Sequence, residues 1–81
     1  MSNKIVAVFI ETEGTVNSFF QVLFEDNTTG RYWSCDQGGV EPDGEYPELD
    51  NDTYWRLLQE SFKVMGDEDY HDEYRSALIK W

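Results

Sequence analysis

Pro42, Gly44 and Pro47 lie within a six-residue span, and with Gly38 and Gly39 just ahead of them they divide the chain. Proline has no backbone N–H to donate and its ring clashes with a preceding helical turn. The stretch from Cys35 to Asp52 therefore excludes a regular helix or a central strand. Whatever precedes it and whatever follows must form separate groups of elements. Eighty-one residues is the length of a single domain, taken as 1–81. A chain this short buries only about 60% of the surface its unfolded form exposes. The three Trp, five Tyr and five Phe matter for that reason, because each aromatic buries a large area.

The first part reads as strands. Residues 4–11, "KIVAVFIE", form an apolar, β-branched run of strand length, and apolar residues on both faces point to a central or well-covered strand. "ETEGTVNS" carries Gly14 and Asn17 and reads as a turn. In "FFQVLFED", residues 19–26, Phe20, Val22 and Phe24 fall on one face and Phe19, Gln21, Leu23 and Glu25 on the other. "DNTTG" offers a turn with Gly30 as the expected positive-φ residue, and "RYWSC", residues 31–35, returns as a third strand. After the acidic stretch, "DNDTYWRLLQESFKVMG" can be capped by Asp50, Asn51 or Asp52 and has a stop at Gly66. Tyr54, Leu58, Phe62 and Met65 recur at helical spacing there, with Trp55 beside them. Tyr70, Tyr74, Ala77, Leu78 and Trp81 do the same in "DEDYHDEYRSALIKW". The expected fold is α+β: a three-stranded antiparallel β-meander followed by two helices packed on the sheet.

Charge narrows function more than fold. Seventeen acids against six Lys and Arg give a net charge of −11. Direct binding to nucleic acid or to an anionic membrane needs the opposite sign, so neither is expected. The acids are also clustered. Asp36, Glu41, Asp43, Glu45, Glu48, Asp50 and Asp52 fall in one segment, and Asp67, Glu68, Asp69, Asp72 and Glu73 in another. If the fold joins them, they form a negative face that attracts a basic partner and whose binding weakens with salt. Tyr46, amid the first cluster, adds an aromatic anchor of the kind that carries binding energy.

Catalytic and metal chemistry find little support in the residues. Read as an EF-hand from Asp50, the sequence puts Tyr54 at the fifth position and Trp55 where Gly is required. Read from Asp43, it puts Pro47 fifth. One Cys and one His, Cys35 and His71, make no zinc set. As a nucleophile and base they are poorly placed, since Asp36 beside Cys35 raises rather than lowers a thiol pKa. His71 lies among Asp69, Asp72 and Glu73, which favour its charged form. No phosphate-binding glycine loop is present, and no cofactor is expected. A lone cysteine and an N-terminal apolar run too short for a signal segment point to a soluble, cytoplasmic protein.

A small, strongly acidic chain rich in Tyr and Trp, with clustered carboxylates, resembles the phage-encoded inhibitors that imitate nucleic acid, among them anti-CRISPR and anti-restriction proteins. It is similar in kind to acidic immunity proteins that plug basic nucleases. The resemblance covers size, charge and acid clustering along the whole chain, and no single motif. It implies a non-enzymatic inhibitor that occupies the nucleic-acid site of a basic protein in the host cytoplasm. Two other readings stay open: a general interaction domain using exposed aromatics such as Tyr46, Trp55 and Trp81, and a weak Ca²⁺-binding module.

Overall fold

The computed structural model describes residues 4–13, 17–35, 39–66 and 74–81. Five strands, β1 (Ile5–Glu13), β2 (Asn17–Phe24), β3 (Thr29–Cys35), β4 (Gly39–Pro42) and β5 (Tyr74–Lys80), form one antiparallel sheet in the order β4-β3-β2-β1-β5. A single helix among the described residues, α1 (Asn51–Met65), links the β4 edge to the β5 edge and crosses one face.

The core forms between that face and α1. Val8 pairs with Val22 and Ile10 with Phe20, and these four are fully buried together with Tyr32 and Leu57. Ile5 and Phe24 complete the layer. The expected assignment of Phe20, Val22 and Phe24 to one face is the arrangement found. Between β2 and β3 the left-handed residue is Asn27, at φ 68°, and not Gly30. Thr28 donates from its backbone N–H and its hydroxyl to the Asp26 carboxylate, and these bonds hold that carboxyl below its ordinary value. Gly30 serves packing instead: a Cβ there would lie 2.8 Å from Cε2 of Tyr32.

Four expectations are corrected. The three-stranded meander with two helices is a five-stranded sheet with one helix. Residues 74–80, expected as a helix, form β5, in which Tyr74, Ser76, Leu78 and Lys80 are exposed and Arg75, Ala77 and Ile79 half-buried. This is a period of two, and it separates Ala77 from Leu78, which the helical reading had placed together. β1 supplies the cause. It has β2 on one side only, and its remaining backbone donors and acceptors need a partner, which β5 provides. Residues 39–42 also leave the loop class. They form a short edge strand ending at Pro42, where the missing N–H costs no ladder bond.

The fourth correction concerns α1. It starts after Asp50 and ends at Gly66 (φ 84°), whose N–H donates to the Phe62 carbonyl, in line with the expected boundaries. Its buried residues, however, are Leu57 and Ser61, with Val64 packed against the core. Phe62, expected on the inner face, is 60% exposed. The Ser61 hydroxyl donates to the Leu58 carbonyl at 2.8 Å, which satisfies it within the helix and lets a small residue sit against the sheet. Arg75 on β5 donates to the Met65 carbonyl, tying the helix end to the sheet edge.

Candidate functional site, an acidic sheet edge

Leaving β3 at Cys35, the chain returns as β4 on the outer edge, then passes through residues 43–50 into α1. Asp43 N–H still donates to the Arg31 carbonyl (2.8 Å), extending the β3–β4 pairing by one bond. Further along, the buried Tyr32 hydroxyl donates to the Pro47 carbonyl at 2.8 Å. Leu49 packs against the core. The acidic segment is therefore held at its start, middle and end, although it contains little regular structure.

Along it, Glu41, Asp43, Glu45, Glu48, Asp50 and Asp52 all have exposed side chains. Asp43 pairs with the Arg31 guanidinium at 3.3 Å, with both side chains more than half exposed. Such an exposed pair contributes little to stability. It lowers the local negative charge by one at the junction with the sheet. Tyr46 is partly exposed, with its ring centroid 6.1 Å from that of Tyr32. A groove of about 320 Å³ runs between β4 and the start of α1, lined by Val40, Pro42, Leu49 and Tyr54 and rimmed by Glu41 and Glu48. Two carboxylates, those of Glu41 and Glu48, thus border a partly apolar floor.

Burial pushes the Tyr32 phenol above its ordinary pKa, and Tyr46 adds to the effect. The neutral phenol is therefore the form that holds Pro47. Asp50 stands at the N-cap of α1 without a side-chain capping bond, so its carboxylate remains available to solvent.

Seven sequence-derived candidates lie in this segment as described: Glu41, Asp43, Glu45, Tyr46, Glu48, Asp50 and Asp52. Asp36, Asp67, Glu68, Asp69, Asp72 and Glu73 lie outside the described residues, as does His71. Of the aromatics, Trp55 is 58% exposed on the outer side of α1, its ring edge-on to Tyr54. Trp81 is half-buried against the core, beneath the Arg56 guanidinium at 3.9 Å. Trp81 is thus mainly a packing residue. Among the described residues no three or more His, Cys, Asp or Glu side chains gather closely enough to hold a metal ion. No described helix is long and apolar enough to cross a membrane.

Residue-level reasoning missed the sheet face opposite α1. Cross-strand partners share a face, and the register places Phe9, Gln21, Arg31 and Leu78 in one row there. Glu11, Phe19, Trp33, Glu41 and Ser76 form the next row. Leu78 is 74% exposed, and Arg31 lies over the Phe19 ring at 5.5 Å. The signal was present in the second-face residues Phe19 and Leu23 of β2, but only the fold shows that α1, the helix among the described residues, packs on the other face. No family model matches the chain, nor does any curated protein or solved structure.

Proposed function

We propose that this chain is a non-enzymatic acidic inhibitor that binds a basic protein at its nucleic-acid site. A CRISPR effector, a restriction enzyme or a nuclease is the class of partner meant. One observation carries the reading: six exposed carboxylates between Glu41 and Asp52 are mounted on a segment anchored to the core through β4, Tyr32 and Leu49. A fixed array of negative charge pays less ordering entropy on binding than a free acidic tail. It also steers a basic partner over a distance set by salt. The groove floor of Val40, Pro42, Leu49 and Tyr54 suits the aliphatic stems of Lys and Arg, whose heads reach the rim carboxylates.

The test is capture of basic nucleic-acid-binding proteins by the intact chain and by a variant with Glu41, Glu45 and Glu48 changed to Gln and Asp52 to Asn. The reading predicts capture that nucleic acid competes away and that the variant loses. A second reading, a general interaction domain, draws on the exposure of Trp55 and Phe62 on the outer side of α1. Under it, Trp55→Ala weakens capture more than the acid substitutions do.

A further inference from the structure

We propose that the outer edge of β5 pairs with β5 of a second copy of this chain, joining two sheets into one continuous sheet. The strand order ends at β5, which pairs with β1. Trp81 N–H donates to the Val6 carbonyl, so the backbone groups of Ile79, Ala77 and Arg75 face β1 as well. Those of Tyr74, Ser76, Leu78 and Lys80 face outward, where no described strand pairs with them. Such a row of donors and acceptors is a template for another strand.

The two edges of the sheet are not alike. β4 is four residues long and ends at Pro42, and a short strand and a proline each blunt an edge. β5 has seven residues, no Gly or Pro, and unbroken register with β1 from Tyr74 to Lys80. On its face away from α1, Leu78 and Tyr74 are 74% and 60% exposed. On the α1 side, an open groove of about 540 Å³ lined by Lys63, Val64, Ala77 and Ile79 keeps the helix clear of the edge.

The strand is its own complement, and this selects the occupant. Antiparallel pairing centred on Ala77 sets Tyr74 opposite the second copy's Lys80, Arg75 opposite Ile79 and Ser76 opposite Leu78. The whole strand then overlaps its counterpart. Outward-facing residues meet outward-facing residues, as the narrow pairs of an antiparallel ladder require, and roughly eight backbone bonds form. A shift by one residue destroys that match, and a shift by two leaves the strand ends unpaired. Ala77, the smallest side chain of β5, meets its counterpart at the two-fold axis. Leu78 lies diagonal to Leu78 and Tyr74 of the second copy, within side-chain reach, so the exposed apolar groups of the strand cover one another. No like charges stand opposite. Each Lys80 faces the other copy's Tyr74, whose phenol lies beside the Glu11 carboxylate, so the cation meets an aromatic ring and an acid.

Pairing through one strand buries less than a standard interface, so the dimer separates on dilution. It leaves β4 at both outer ends of the joined sheet. Each dimer therefore carries two uncovered acidic edges, on the order of 40 Å apart at about 4.8 Å per strand.

Sedimentation of the intact chain over a range of concentrations, at about 0.15 M salt to screen its net charge, tests the proposal together with amide exchange. The expected result is a monomer–dimer equilibrium. The Ser76 and Leu78 amides, fast in the dilute chain, gain at least tenfold protection as the dimer forms. Ser76→Pro removes an outward donor without taking a bond from the β1 ladder, and it lowers the association constant at least tenfold. Leu78→Asp, which sets two carboxylates diagonally across the axis, does the same and decides alone if circular dichroism shows the proline variant unfolded. Leu23→Asp, on the sheet face away from α1, and Trp55→Asp, on the outer side of α1, leave the dimer intact. A monomer at every concentration overturns the proposal, as does a dimer in which the Ser76 and Leu78 amides stay fast. A dimer indifferent to a folded edge variant, one lost with Leu23→Asp or Trp55→Asp, or an open polymer built by β4-to-β5 pairing overturns it too.

Discussion

The Tyr32 hydroxyl donates a 2.8 Å hydrogen bond to the Pro47 carbonyl, joining the largest fully buried side chain of the core to the middle of the acidic segment. Tyr32→Phe keeps the ring and removes the bond. We expect a loss of about 1 kcal/mol in denaturant unfolding, with faster proteolysis between residues 43 and 50. Unchanged stability together with unchanged proteolysis would mean that the bond does not hold the segment.

The same residue gives a pH dependence of defined sign. Burial raises the phenol pKa in the folded state above its ordinary 10.0. The stability this contributes is fully present below pH 10.0 and is lost as pH climbs through the higher folded value. Tyr32→Phe has no such group. The stability gap between wild type and variant should therefore stay constant up to about pH 10 and shrink above it. A gap that stays constant above that pH contradicts the assignment.

Gly30 is a packing glycine. A methyl group there meets Tyr32 Cε2 at 2.8 Å and Phe24 Cε2 at 3.2 Å, and the Tyr32 ring is held by its bond to Pro47. Gly30→Ala should cost about 1–3 kcal/mol, read from the urea midpoint. A wild-type midpoint would show that the ring can give way.

The strand assignment of residues 74–80 predicts alternating amide exchange. Trp81 N–H donates to the Val6 carbonyl, so the amides of Ile79 and Ala77 also point toward β1, and those of Leu78 and Ser76 point to the outer edge. In the dilute, monomeric chain, slow exchange at Ala77 and Ile79 with fast exchange at Ser76 and Leu78 is expected. Uniform protection there, as in a helix, would refute β5.

Much of the fold can be read from the sequence because local pattern and tertiary burial agree there. Phe20, Val22 and Phe24 alternate, and they are buried. Residues 74–80 show where that agreement fails, since Tyr74 and Leu78, four apart, share a face in a helix and in a strand alike, while Ala77 joins them only in a helix. A conflict was nonetheless visible. An apolar run on both faces of residues 4–11 reads as a central or a well-covered strand, and a meander that begins with that run leaves it at an edge. The missing neighbour is β5. In α1, Phe62 outweighs Ser61 in hydrophobicity, yet Ser61 is the residue buried and Phe62 is exposed. The acidic edge was legible as composition. Its anchoring by Tyr32 was not, because that contact joins residues far apart in sequence.

The most direct test of the acidic-edge account is binding to a panel of basic proteins, comprising a CRISPR effector, a restriction enzyme and a nuclease, at about 0.05 M and about 0.3 M salt. Wild type is compared with the variant in which Glu41, Glu45 and Glu48 become Gln and Asp52 becomes Asn. The account predicts binding to at least one member that weakens at least tenfold at the higher salt and is lost in the variant. Equal binding by the variant, or binding indifferent to salt, contradicts it.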